Sequence, residues 1–118
     1  MKYACLVYVE EAVMQGLSSG EGTKLTDDSM DFDADLKRRG HLLMAQALQS
    51  PDTAVTIRVR NGKMSSTDGP FTETKEHLAG FMLIEARDLS EAVQLASTAP
   101  MARVGSIEVR PFLDLQHS

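Results

Sequence analysis

The chain has 118 residues, a formal net charge of −5 and 42% hydrophobic residues, which suits one globular domain over residues 1–118 and excludes disordered and fibrous classes. The acidic balance opposes a nucleic-acid partner, whose phosphates call for a basic field, and the lack of Trp leaves no stacking platform for single strands. No stretch approaches the roughly 20 apolar residues of a membrane span, and the N-terminal apolar run is too short and begins too early for a signal peptide, so a cytoplasmic protein with no membrane partner is expected.

In chain order, Lys2 to Val9 is a strand with apolar residues on both faces. Glu10 to Thr23 is expected as a loop with a helical turn near Glu11 to Met14, because glycines and serines crowd its second half. Leu25 to Arg39 carries helix end signals: Thr26 or Asp27 as cap, acids through the first half, Lys37 to Arg39 at the end and Gly40 as the stop. Its core face is Leu25, Ser29, Phe32 and Leu36. His41 to Leu48 is a second strand. Ala54 to Arg60 alternates apolar and polar, turns at Asn61-Gly62 and returns as Lys63 to Thr67, a hairpin. Thr72 to His77 is expected as one helical turn. Leu78 to Ala86 is another strand apolar on both faces. Asp88 and Glu91 are spaced as a capping box for a helix that ends near Pro100. Ser106 to Phe112 is the last strand, followed by a tail from Leu113 to Ser118.

Without the hairpin the order is β-α-β-β-α-β, the ferredoxin-like α+β arrangement. Its two central strands are the first and third, which are the two with apolar residues on both faces. Two helices cover one sheet face only, and an antiparallel sheet with an uncovered face should be polar there. A homodimer with stacked sheets is therefore expected.

The turn Asp68-Gly69-Pro70 opens a stretch, Asp68-Gly-Pro-Phe-Thr-Glu-Thr-Lys-Glu76, that is followed by Gly80-Phe81 and by Gly105-Ser-Ile-Glu-Val-Arg-Pro111. With Met1-Lys-Tyr and the Val-Arg-Asn-Gly hairpin, these residues resemble the YCII-related family, and more narrowly its DGPF-domain branch. The resemblance implies a ferredoxin-like domain that pairs into a dimeric α+β barrel, in a family of mostly unassigned function. It also implies a link, in some members, to genes for extracytoplasmic-function sigma factors. Some of the wider family use a His–Asp pair. The equivalent positions here are Ser29 and Ala99, the latter before Pro100, so neither member of the pair is present.

The candidate site residues cluster around the motif. Asp68 is either a turn former bonding nearby amides or a catalytic base. Glu73, Lys75 and Glu76 are either a solvated turn or a site in which Lys75 holds an anion and Glu73 moves protons. His77 stands at the start of a central strand and is the better histidine for acid–base work; His41 and the tail residue His117 are the others. Arg58, Arg60 and Arg110 are expected as a basic patch on the sheet, binding a carboxylate substrate or pairing with acids such as Glu108. Cys5 lies in an apolar run and reads as a small buried hydrophobe. The scattered methionines read as packing filler, and no spacing fits a metal, phosphate or other cofactor.

Three functions remain open on these residues. The first is a dimeric small-molecule-binding, accessory or regulatory protein. The second is a small dimeric-barrel enzyme acting on a compact anionic organic substrate. The third is a module that contacts a sigma factor through the acids between Asp27 and Asp35.

Overall fold

The first strand, β1 (Lys2–Glu10), leads through a short helix α1 (Glu11–Gln15) into the long helix α2 (Ser19–Arg38) and strand β2 (Leu42–Ala47). A hairpin of β3 (Val55–Arg60) and β4 (Lys63–Asp68) follows, then β5 (Glu76–Glu85), helix α3 (Leu89–Ser97) and β6 (Ser106–Pro111). This computed structural model describes residues 1–115, so His117 lies outside the described residues. Four strands form one antiparallel sheet in the order β2-β5-β1-β6. The fold is ferredoxin-like, with β1 and β5 at the centre.

Strand periodicity divides β1 between two environments. Tyr3, Cys5, Val7 and Val9 are buried beneath the helices, whereas Ala4, Leu6 and Tyr8 are half-buried on the opposite face. The core joins Tyr3, Cys5, Met82 and Ile84 of the sheet to Leu36 of α2 and to Ala92, Leu95 and Ala96 of α3. Full burial of a side chain such as Leu36 or Ile84 contributes about 1.5–3 kcal/mol. On the uncovered face, Leu6 stands opposite Phe81, and Leu83 lies between Ala4 and Met44.

Several local expectations need correction. Helix α2 begins at Ser19, with Ser18 rather than Thr26 or Asp27 as its cap: Ser18 Oγ accepts from the Glu21 amide at 3.0 Å and Glu21 Oε1 accepts from the Ser18 amide at 3.0 Å. This reciprocal box outweighs the poor helix propensity of Gly20 and Gly22. At α3, Asp88 caps the Glu91 amide, but Glu91 accepts from the amide of Arg87, one residue before the cap. The segment from Thr72 forms bends instead of a helical turn, and β5 already starts at Glu76, where it pairs with Glu10. Gly40, at φ +81°, terminates α2 as expected.

The hairpin is a separate two-stranded sheet. Asn61 and Gly62, both with positive φ, make its two-residue turn. Val55, Ile57 and Val59 lie along one face, all more than half exposed, with Met64 opposite Val59. The radius of gyration, 16.5 Å, exceeds the roughly 13–14 Å of a compact chain of this length, as a projecting arm requires.

Candidate functional site

The motif residues are held by the base of the arm. Asp68 ends β4 opposite Val55. The Gly69 amide donates to the Ala54 carbonyl at 2.6 Å, and Thr56 Oγ1 donates to the Gly69 carbonyl at 2.8 Å. Gly69 has φ +97°, which an L side chain rarely adopts. This much of the motif is a backbone junction. Phe71, a residue type expected inside, is 73% exposed.

Glu73, Lys75, Glu76 and His77 line one cleft of about 860 Å³, walled also by Tyr8, Glu11 and the 48–54 segment. Lys75, its side chain 80% exposed, approaches Glu10 at 3.8 Å. Such an exposed pair contributes little, well under about 1 kcal/mol. Asp68, Arg58 and Arg110 do not line this cleft. Arg58 and Arg60 belong to the hairpin, whereas Arg110 is on β6 and bonds Glu108. The single basic patch expected on the sheet is therefore divided between two sheets. His41 is tied elsewhere: its Nδ1 donates to the Glu85 carbonyl at 2.8 Å.

A second cleft, of about 840 Å³, lies between α2 and the helix-facing side of the sheet. Its walls are mainly apolar, with Val7, Leu25, Phe32, Met82, Met101 and Ile107 among them. Ser29 and Ala99, the positions at which the sequence resemblance implies a His–Asp pair in other members, both line it. Ser29 Oγ is buried and has no hydrogen-bond partner among the described residues. One turn further along α2, Asp33 lines the same cavity, and burial raises its carboxyl pKa above the ordinary value. Asp33 was not among the site residues expected from sequence. The sequence carries half of the signal: the i, i+4 row Leu25, Ser29 extends to Asp33 at one edge of the core face, but Asp28 flanks the other edge equally closely, so spacing alone does not single out Asp33.

The other acids of α2 are spent differently. Asp28 is held low by its hydrogen bond from Lys24 at 2.9 Å and by Arg103 at 3.6 Å. Asp35 bonds Arg38 and Arg39. The acidic face expected to meet a basic partner is thus partly neutralised within the chain. Among the described residues no group of three or more His, Cys, Asp or Glu is placed to hold a metal ion, and no helix is long and apolar enough to cross a membrane.

The pattern of the YCII-related domain matches residues 1–116. The chain belongs to the YCII-related family. An uncharacterised protein of Rhizobium meliloti (strain 1021) is 36% identical over 113 residues, covering 94% of this chain and 91% of the relative. The fold is also similar to that of 5-chloro-2-hydroxyhydroquinone dehydrochlorinase from Burkholderia phenoliruptrix AC1100, solved with 2,5-dihydroxybenzoquinone. That likeness has a TM-score of 0.59 at 11% identity and covers 96% of this chain and 94% of the other. It shows a shared α+β fold.

Proposed function

We propose that this YCII-family chain, of the DGPF type, is a small-molecule-binding protein whose ligand enters the cleft between α2 and the sheet. The observation that carries this reading is the cavity itself: about 840 Å³, the size of small-ligand sites, with mostly apolar walls and a minority of polar groups, chiefly hydroxyls and the carboxylates Asp27 and Asp33. The reading is supported by the lining of this cleft by Ser29 and Ala99, where the family resemblance implies a functional pair in other members. Methionine methyl resonances supply the test. Met14, Met30, Met82 and Met101 line the cleft, whereas Met44 and Met64 do not. A ligand found by thermal-shift screening should perturb the first four and spare the other two; perturbation confined to Met44 or Met64 would sink the assignment.

The working unit in this reading is a homodimer with sheets stacked through Leu6, Tyr8, Phe81 and Leu83. Those residues stay half-exposed in one chain, and a second copy removes their apolar surface from water. Sedimentation at micromolar concentration should give twice the chain mass, and a Leu6→Glu variant should shift it toward monomer. A monomeric parent protein would refute this.

An enzyme moving protons on a compact organic substrate is the alternative. It is favoured by Asp33, a carboxyl at a cavity wall whose pKa burial raises, and by the dehydrochlorinase activity in the name of the like-folded quinone-bound protein. Turnover of a hydroxyquinone panel, lost in Asp33→Asn, would support the enzyme; equal turnover by that variant would remove Asp33 from it.

A further inference from the structure

We propose that the cleft between α2 and the sheet selects an apolar ligand carrying one protonated amine, seated against Asp33, and discriminates against anions. The inference rests on the reading that this cleft is the ligand site, and it adds the chemical class of the ligand.

The charge inventory of the cavity points this way. Asp27 and Asp33 line it, and no Lys, Arg or His does. Asp33 forms no ion pair or hydrogen bond among the described residues, while Asp28 and Asp35 of the same helix are each tied to cations. An ionised carboxylate at a largely apolar wall is poorly solvated and lacks a counter-charge, so burial biases its pKa upward from the ordinary carboxyl value. A ligand ammonium supplies the missing charge and reverses that bias. A ligand carboxylate would set like charges together in a poorly screened site.

The other elements around the cavity leave this balance intact. The β1 and β5 wall residues, Val7 and Met82, carry no charge, and Pro100 and Met101 close the far side. Arg103, which follows the Pro100–Met101 wall in the chain, is engaged by Asp28 at 3.6 Å. Ser29, one turn before Asp33 on α2, adds a buried polar position. Its hydroxyl, unpartnered in its present rotamer, can turn about χ1 and accept from an ammonium that has three protons to place. The apolar walls take the rest of the ligand.

The test uses three probes with one skeleton: 2-phenylethylamine, 2-phenylethanol and phenylacetate, titrated into the intact protein while the methionine methyls are followed. The amine should shift the Met14, Met30, Met82 and Met101 methyls and bind at least about tenfold more tightly than the alcohol. Phenylacetate should be the weakest of the three. Asp33→Asn should lose that advantage for the amine and leave the alcohol within about twofold. In the parent protein the amine's affinity should rise with pH through the native pKa of Asp33, because only the ionised carboxylate attracts it. If all three probes bind the cleft equally, or if Asp33→Asn keeps the amine advantage, the charge assignment falls while the cleft remains a site. If none shifts the cleft methyls, the site reading falls and takes this inference with it.

Discussion

Replacing Gly105 by Ala tests the link between the family motif and the sheet. A Cβ at this position would stand 2.2 Å from the Tyr8 carbonyl oxygen and 3.1 Å from Val9 Cγ1. Ordinary carbon–oxygen contact begins near about 3.3 Å, so the backbone must separate by roughly 1 Å. The obstructing atom is main chain, and no rotamer change relieves it. The displaced segment is where β6 begins, at the Tyr8–Ser106 rung. Bonds near 2.9 Å stretched by about 1 Å cease to be hydrogen bonds. One lost rung at about 0.5–1.5 kcal/mol, added to about 1–3 kcal/mol of overpacking, gives roughly 2–4 kcal/mol. That is a large fraction of a typical 5–15 kcal/mol stability, and corresponds to a fall of roughly 10–15 °C in Tm. Urea unfolding followed by circular dichroism measures the loss, and amide exchange locates it in β6. A variant within about 0.5 kcal/mol of the parent, or one whose β6 amides keep their protection, would refute the close-approach argument.

Other expectations are more local. Leu36→Ala removes a side chain only 1% exposed in the middle of the core and should cost about 2–5 kcal/mol in urea unfolding. Ser18→Ala deletes the box that starts α2 and should cost about 1 kcal/mol, with the increased exchange confined to the first turn. Cys5 is fully buried and its thiol is pushed up to about 11, so at pH 8 a thiol reagent should label the native protein only as fast as it opens. For Asp33 the sign follows from burial: its native pKa lies above the unfolded value, so the native state binds the extra proton between the two. The contribution is fully present below the unfolded pKa, near about 3.9, and is lost as pH rises through the native one. The Asp33→Asn variant should therefore lack this part of the fall in urea midpoint above about pH 4; parallel curves for the two proteins would contradict the burial.

The architecture was legible because it is written in short-range patterns. Alternation along Val55 to Val59 with Asn61-Gly62 specified the hairpin, and apolar residues on both faces of the first and third core strands marked the sheet centre. Cys5, Leu36 and the Gly40 stop follow from neighbours within a turn or a strand. Helix α2 starts well before Leu25 because its cap needs Ser18 and Glu21 to fold back on each other, a reciprocal contact that Gly20 and Gly22 mask in the sequence pattern. What tertiary structure alone decided was company. Arg58 and Arg110 look alike in sequence, yet one rides the projecting arm and the other bonds Glu108 on the core sheet. Among the acids of α2, Asp28 and Asp35 meet cations while Asp33 meets a cavity. Propensity and periodicity act between residues close along the chain, whereas the charge environment of Asp33 is set by β1, β5 and the Pro100 turn, which are brought to it only when the sheet closes over α2.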